Sequence, residues 1–152
     1  MYDEPKIIHA GEALDDRGVL IFCNDFNLAG VVRFYTITNH RRGFVRAWHG
    51  HRHSCTWLWP ISGIWRVATN VMPEATTFAT EPQVFVIDST SILFVPAGWY
   101  NGHQNLTKGG VLGVFSTATL EEVTTDDCRR DTWPVSRLPW NRWPDVWRER
   151  QR

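Results

Sequence analysis

Two histidines separated by one residue, His49 and His51, are the side chains whose type and spacing could carry chemistry in this sequence. The stretch around them has the composition of an extended strand, in which alternate side chains share a face. This alternation predicts that both histidines share a face with Val45 and Ala47, and that Arg46 lies on the opposite face. Paired imidazoles on a small, apolar face are either hydrogen-bonded structural residues or part of a pocket, where a group that titrates near neutral pH can move protons.

The segment that carries these histidines contains no acidic residue. Residues 26–73 hold six arginines, four of the six histidines and no Asp or Glu, although the whole chain has 16 basic and 16 acidic residues. Local positive charge suits an anionic small molecule, since Arg binds phosphate and carboxylate groups bidentately. The alternative is a chance cluster on a basic sheet face. Proteins that bind nucleic acids usually have an excess of basic residues, which this chain as a whole does not have. We therefore expect no nucleic acid partner.

Length and composition favour one domain that spans residues 1–152. A chain of this size with 43% hydrophobic residues can bury a substantial core. No apolar run is long enough to cross a bilayer, and residues 1–6 lack the pattern of a signal peptide, so we expect no membrane partner. Cys23, Cys55 and Cys128 are odd in number and widely spaced. This spacing favours reduced thiols and predicts a cytoplasmic protein.

Short apolar and β-branched segments separated by turn residues run through most of the chain. They predict strands over residues 6–9, 19–23, 31–39, 43–51, 55–60, 64–70, 83–88, 91–95, 102–106 and 111–117. Turn residues at Ser62 and Gly63, and again at Ser89 and Thr90, predict that the flanking segments pair as hairpins. No long segment before residue 118 has a helical period, so the pattern favours an all-β barrel or jelly roll.

The C-terminal part of the chain has a different character. Residues 119–130 predict a short helix with Thr119 as N-cap and Glu121 and Glu122 in the first turn. Residues 133–147 are dominated by Trp, Pro and Arg, so we expect an irregular or partly helical tail that packs against the barrel or against a second subunit. Because a closed β-sandwich leaves strand edges that need a partner or a cover, we also expect a homodimer.

Two motifs resemble those of the cupins. The matching positions are Gly43, His49, His51 and Gly63 in the first motif and Pro96, Gly98 and Asn105 in the second. The resemblance implies a cupin-type antiparallel jelly-roll barrel. Metal-dependent cupins ligate with two His, a Glu and a later His, but this chain lacks the Glu and has Asn101 in place of the last His. His103 lies two residues on and keeps the strand face, which leaves a three-histidine metal site as one alternative.

The departures from a metal site resemble the metal-free sugar-nucleotide branch of that superfamily. Residues 39–49 are similar to the Asn-x-Ser…Gly-Val-Leu-Arg-Gly-Leu-His pattern of dTDP-4-dehydrorhamnose 3,5-epimerases, and residues 16–18 and 94–103 are similar to two further segments of theirs. Residues 46–52 are similar to the Arg-Gly-x-His-Ala-His-Lys of dTDP-4-keto-6-deoxyglucose 3,4-ketoisomerases. The resemblance implies an RmlC-like cupin without cofactor or metal, acting on a nucleotide-diphosphate sugar with dTDP as the expected nucleotide.

The resemblance also implies roles for residues of the histidine motif. A 4-keto sugar has acidified hydrogens next to the ketone, and the family's base corresponds to His49. His51 corresponds to the second histidine of the ketoisomerases, which can pass the proton, and Arg46 is a candidate contact for the enolate or the diphosphate. The epimerases use a Tyr acid on a late strand, which residues 115–120 lack. Tyr35 and Tyr100 are therefore candidate substitutes.

The arginine-rich stretch and the family-like segments together supply candidate substrate-binding residues. They are Arg17, Arg33, Asn39, Arg66, Trp99, Tyr100, Asn101 and His103. Two alternatives stay open at this point: a cupin that binds a sugar or nucleotide without turnover, and a metal-dependent cupin enzyme.

Overall fold

A computed structural model describes residues 3–72, residues 81–130 and Trp140. Within these residues the chain forms twelve strands and one helix. The strands are β1 (Lys6–His9), β2 (Gly11–Asp15), β3 (Gly18–Phe22), β4 (Arg33–Thr38), β5 (Val45–His51), β6 (Thr56–Ser62), β7 (Trp65–Val71), β8 (Gln83–Ile87), β9 (Ser91–Val95), β10 (Trp99–Asn105), β11 (Val111–Ser116) and β12 (Asp127–Arg129). The helix is α1 (Leu120–Asp126). The predicted loop over residues 71–82 lies mostly outside the described residues.

Two five-stranded sheets face each other, and all their strand pairs are antiparallel. The first sheet has the order β1-β9-β6-β11-β4, the second has the order β12-β5-β10-β7-β8, and β2 and β3 form a separate two-stranded ribbon. The prediction of an all-β antiparallel jelly roll is confirmed. The two predicted hairpins are wrong, because β6 and β7, like β8 and β9, lie in different sheets. Their tight turns carry the chain from one layer to the other, which local turn chemistry cannot distinguish from a hairpin.

The core fills the space between the sheets with side chains from both layers. Its fully buried members come from β6, β7, β8, β9 and β11 and are Leu58, Trp65, Val67, Ile87, Leu93, Val95, Leu112 and Val114. Full burial of a large aliphatic side chain stabilises the sandwich by about 1.5–3 kcal/mol. The core ends against Leu58 and Val114, beyond which the space between the sheets is an open cavity.

A β-bulge in β5 changes the predicted faces of the histidine strand. His49 pairs with Asn101 and Arg46 pairs with His103, so that two residues of β5 oppose the single residue Gly102 of β10. An extra residue in one strand reverses the alternation beyond it. Arg46 therefore lies on the same side as His49 and lines the same cavity. The prediction that it lies on the opposite face is wrong.

The bulge also moves Val45 and Ala47 to the outer side of the second sheet. Both pack there against a cluster of Trp48, Tyr100 and Trp140, and not beside the histidines as predicted. A Cβ on Gly102 would collide with the Cβ of Ala47 and lie 2.9 Å from the Trp140 ring. Glycine is therefore required where the bulged strand crosses β10.

The helix begins as predicted but ends earlier. The Thr119 hydroxyl accepts a hydrogen bond from the Glu122 N–H, and the Glu122 carboxylate accepts one from the Thr119 N–H, which forms a capping box. Instead of continuing to residue 130, the chain leaves the helix at Asp126 and forms β12, which pairs with β5 beside both histidines. Sheet pairing therefore overrides helix propensity there.

Of the predicted tail contacts, only those of Trp140 fall within the described residues. Its ring lies 5.7 Å from that of Trp48, and its carbonyl accepts a hydrogen bond of 2.9 Å from Arg66. At this one residue the tail packs against the barrel of its own chain. Among the described residues, no helix is both long enough and apolar enough to cross a membrane.

Candidate functional site

A cavity of about 550 Å³ opens between the two sheets at the end of the barrel next to β12. Strands β4, β5, β6, β10 and β11 form its walls, and α1 and β12 form part of its rim. The lining residues are Arg33, Phe34, Tyr35, Thr36, Ile37, Arg46, His49, His51, Thr56, Leu58, Asn101, His103, Val114, Leu120, Val123, Asp127 and Arg129. Seven of these were predicted from the sequence as catalytic or substrate-binding residues: Arg33, Tyr35, Arg46, His49, His51, Asn101 and His103.

His49 lies at the centre of the wall formed by the second sheet. It pairs with Asn101 on one side and with Arg129 on the other, and the Asn101 amide donates a hydrogen bond of 3.2 Å to its carbonyl. Burial lowers the pKa of His49, and Arg129 and Arg46 lower it further, against an opposing effect of Asp127. The ring is therefore neutral near pH 7, as a proton acceptor must be.

His51 lies beside a buried carboxylate. Its Nδ1 is 3.8 Å from Oδ2 of Asp126, a distance at which the charge acts although no hydrogen bond is formed. Burial lowers the pKa of His51, and Asp126 is the strongest of the groups that raise it. Of the two histidines on this strand, His51 therefore has the neighbour that favours the protonated form, and His49 has the neighbours that disfavour it.

Asp126 is itself held by the loop that follows β5. Its carboxylate accepts hydrogen bonds from the N–H groups of Arg52, His53 and Ser54 and from the Ser54 hydroxyl, at 2.6–3.1 Å. Burial would raise the pKa of Asp126, but these hydrogen bonds outweigh it and hold the pKa below its usual value. The carboxylate therefore stays ionised next to His51.

His103 lies at the deep end of the cavity, where the wall meets the core. It pairs with Arg46 on β5 and with Val67 on β7, and its side chain is 3% exposed. Its ring stands edge-on to Trp65 at a centroid distance of 5.8 Å. Burial, together with the charges of His49 and Arg46, lowers its pKa to about 3. This third imidazole is therefore neutral over the whole working range of pH.

The opposite wall contributes an arginine and a tyrosine from β4. Arg33 and Tyr35 alternate with outward-facing residues, and they pair with Ser116 and Val114 of β11. The Arg33 guanidinium carbon lies 4.8 Å from the Tyr35 ring centroid, within the range of a cation–π contact. A cation and a phenol thus face the histidines from the other sheet.

Five predicted substrate-binding residues lie elsewhere. Tyr100 and Arg66 are on the outer side of the second sheet, where Arg66 donates to Gln104 and to the Trp140 carbonyl. Trp99 packs against the core and donates to the Asp3 carbonyl, and the Asn39 amide donates to the Phe44 carbonyl at 2.9 Å. Arg17 is exposed in the β2–β3 turn, where it pairs with Asp15. Tyr100 is also excluded as the substitute acid of this cavity, because its ring faces away from it.

The sequence interpretation missed Asp126, Asp127 and Arg129. All three come from the end of α1 and from β12, and the pairing of β12 with β5 brings them to the histidines. Arg129 donates to Asp127 at 2.7 Å, so the rim carries an ion pair. The local signal was a helix start at Thr119, which does not predict a strand that begins after only about two turns. Within the part of the chain that the structure describes, no cluster of three or more His, Cys, Asp or Glu is arranged to hold a metal ion.

Comparison with solved structures identifies the fold. QdtA, a sugar 3,4-ketoisomerase from Thermoanaerobacterium thermosaccharolyticum in complex with TDP, matches with a TM-score of 0.66 at 18% identity, over 86% of this chain and 90% of that chain. The rmlC epimerase of Mycobacterium tuberculosis matches with a TM-score of 0.69 at 14% identity, over 84% of this chain and 68% of that chain. This chain has the RmlC-like cupin fold. The predicted fold resemblance is thereby confirmed.

A third RmlC-like structure is similar over more of the chain. ChmJ, a 3'-monoepimerase from Streptomyces bikiniensis in complex with dTDP-quinovose, matches with a TM-score of 0.73 at 15% identity, over 93% of this chain and 75% of that chain. No protein-family model and no curated protein sequence matches the chain. At these identities the likeness establishes the RmlC-like fold, and the function has to be argued from the cavity itself.

Proposed function

We propose that this protein is an isomerase of a nucleotide-linked 4-keto-6-deoxy sugar, an epimerase or a 3,4-ketoisomerase, with dTDP as the expected nucleotide. The observation that carries the proposal is that His49, His51 and Arg46 meet Arg33 of the facing sheet in one cavity of about 550 Å³. That volume suits a small-molecule site. Similar structures in complex with TDP and with dTDP-quinovose support a ligand of this class.

In the proposed reaction His49 removes a proton from the carbon next to the sugar ketone. The C–H electron pair moves into a new C=C bond and the carbonyl pair moves onto oxygen, which gives an enolate. Because burial, Arg129 and Arg46 keep His49 neutral, it can accept this proton near pH 7. His51 then relays or returns a proton, a role that suits its buried carboxylate neighbour Asp126.

The arginines of the cavity are proposed to bind the diphosphate. Arg33 and Arg46 approach from opposite sheets, so a diphosphate between them would contact both guanidinium groups. Arg129 at the rim is a further cation, although Asp127 offsets part of its charge. Tyr35 is the proposed substitute for the missing family acid, since it lines the cavity on the wall opposite the histidines.

Deuterium wash-in tests the proposal directly. The protein is incubated in D2O with dTDP-4-keto-6-deoxyglucose, and label at the carbons next to the ketone is followed by NMR. Label at C4 of a 3-keto product indicates a 3,4-ketoisomerase, label at C3 alone indicates a 3-epimerase, and label at both C3 and C5 indicates a double epimerase. Calorimetry with dTDP and with the dTDP-sugar, run in parallel, reports binding. Binding with neither label nor a new keto-sugar product would contradict the proposed activity and favour a nucleotide-sugar-binding cupin without turnover.

We propose that the reaction needs no metal or cofactor. Three histidines line the cavity, but no Glu is among its described lining residues, and no three or more His, Cys, Asp or Glu of the described chain are arranged to hold a metal ion. Label incorporation should therefore survive incubation with EDTA and removal of the chelator. Loss of label incorporation, restored by a stoichiometric divalent metal, would contradict this.

The remaining proposals concern the whole chain. We propose one domain over residues 1–152, a cytoplasmic location and a homodimer. The free thiols of Cys23, Cys55 and Cys128 support a reducing compartment. Fractionation of the source cells would test the location, and recovery of the protein from a membrane or secreted fraction would contradict it.

A further inference from the structure

We propose that His103 is a catalytic residue of this cavity, in which its neutral imidazole donates a hydrogen bond to the sugar oxygen that becomes negatively charged when His49 removes the neighbouring proton. This inference rests on the proposed function and assigns a group to the enolate. His103 neither gains nor loses a proton in the step. The proton moves from carbon to His49, and the negative charge that develops on oxygen is stabilised by the His103 N–H.

The position of His103 is the first observation. It lies on the cavity wall one bulge away from His49, with Arg46 directly across on β5. Diagonal neighbours on one face of an antiparallel pair are about 7–8 Å apart, so one small ligand can contact both side chains. The carbon that loses its proton and the ketone oxygen are separated by only one further bonded carbon. A sugar that presents the carbon to His49 can therefore turn its oxygen towards His103.

The second observation is an unsatisfied nitrogen. Nδ1 of His103 is buried and has no hydrogen-bond partner among the described residues. Buried polar atoms in proteins are normally paired, and an unpaired one is destabilising. Packing against Trp65 alone does not account for a polar ring at this position. Because Nδ1 has almost no exposed surface, the nitrogen of this cavity-lining ring that can donate to a ligand is Nε2.

The third observation is the division of roles among the three imidazoles. His49 and His51 are partly exposed, whereas His103 is 3% exposed. Burial lowers the pKa of His103 to about 3, with His49 and Arg46 acting in the same direction, so it cannot serve as the base near neutral pH. A neutral N–H in a site that excludes water still stabilises a developing oxyanion, because it is in place before the charge appears.

Two substitutions test the inference by the same D2O exchange reaction. His103→Phe keeps a ring of similar size and removes the donor, and His103→Gln keeps a neutral N–H donor. Loss of one oxyanion donor should lower kcat for exchange by about 10²–10³-fold in His103→Phe. KM and the affinity for dTDP should change by less than about threefold, since the interaction is made only with the enolate. The kcat of His103→Gln should be at least about tenfold higher than that of His103→Phe.

Thermal unfolding and dTDP calorimetry serve as controls for a purely structural role. Exchange by His103→Phe at the wild-type kcat would overturn the inference. Equal losses of kcat, dTDP affinity and folded fraction in both variants would also overturn it, because they would assign the residue to packing. Absence of exchange in the wild-type protein would refute the proposed function, and the inference would fall with it. If the wild-type protein does catalyse exchange, the proposed function holds, and the comparison of the two variants with the wild type then tests only the role of His103.

Discussion

Nδ1 of His51 and Oδ2 of Asp126 lie 3.8 Å apart, although one residue belongs to the central strand and the other to the end of the only described helix. The same carboxylate accepts three backbone N–H groups from residues 52–54. Asp126 therefore has two effects. It places a negative charge beside the His51 imidazole, and its hydrogen bonds hold the loop after β5 at the rim of the cavity.

Replacing Asp126 with Asn should lower the pKa of His51, because Asp126 is the main group that raises it. The substitution should also lower the free energy of unfolding by about 1–3 kcal/mol, since an amide oxygen cannot replace a carboxylate that accepts several hydrogen bonds. NMR titration of the His51 ring measures the first effect and urea unfolding the second. Ser54→Ala removes one of these hydrogen bonds and keeps the charge, so it should leave the pKa of His51 closer to wild type. An unchanged pKa in Asp126→Asn would show that the two groups are not coupled.

His49→Asn should abolish exchange of the sugar C–H with D2O, with a loss of at least about 10²–10⁴-fold for removal of a general base. Affinity for dTDP should stay nearly unchanged, since the arginines are untouched. His53→Asn is the matched control, because its exposed side chain lies outside the cavity. His51→Asn should be less damaging if it only relays the proton, and as damaging if the reaction is a 3,4-ketoisomerisation. Exchange by His49→Asn at the wild-type rate would show that His49 is not the base.

Arg33→Ala and Arg46→Ala should each weaken dTDP binding by about 1.5–3 kcal/mol, the magnitude expected for a charge-assisted hydrogen bond. Arg17→Ala provides the control for loss of one positive charge, because Arg17 is exposed in the β2–β3 turn and pairs with Asp15. Isothermal titration at two salt concentrations measures the affinities. If Arg33→Ala and Arg46→Ala both bind dTDP as tightly as the wild type and the Arg17→Ala control, the diphosphate site lies elsewhere.

The free energy of unfolding should fall as the pH drops below about 6.5. In the unfolded chain His103 is protonated near its ordinary pKa, whereas in the folded protein burial keeps it neutral down to about pH 3. Between pH 7 and pH 5 this single residue should account for about 2 kcal/mol. Burial shifts the pKa values of His49 and His51 in the same direction, so they add to the loss. Urea unfolding at several pH values should show a flatter profile for His103→Gln than for the control His53→Gln. Equal slopes in the two variants would contradict a buried neutral His103.

The exposed apolar residues of the β2–β3 ribbon lead us to predict a dimer. Leu14 and Leu20 are 75% and 63% exposed, and neighbouring Phe34 is 52% exposed. Light scattering at micromolar concentration should give about twice the 17.6 kDa chain mass. Leu20→Glu should shift the protein to monomers, whereas Val84→Glu, at an exposed position on β8, should not. A wild-type monomer would refute the prediction.

Local sequence determined much of this molecule. Ten of the twelve described strands were predicted from short β-branched and aromatic segments between turn residues, because the period of two is a property of the backbone alone. Strands β2 and β12 were not predicted. The start of α1 was predicted from Thr119, because its side chain caps the helix by accepting a hydrogen bond from the N–H of Glu122, only three residues along the chain. The spacing of His49 and His51 put them on one face of β5, since no bulge lies between them.

Tertiary structure alone decided the composition of the cavity. Whether Arg46 lies on the same face as His49 depends on a bulge opposite Gly102. Whether Arg33 or Arg66 lines the cavity depends on which side of each sheet is inside. The acid-free stretch of residues 26–73 predicted a local positive charge. In the structure β12 brings Asp127 to the rim of the cavity, and α1 brings Asp126 beside His51. These contacts join residues more than seventy positions apart. Their register is set by the packing of two whole sheets, which no local pattern of side chains encodes.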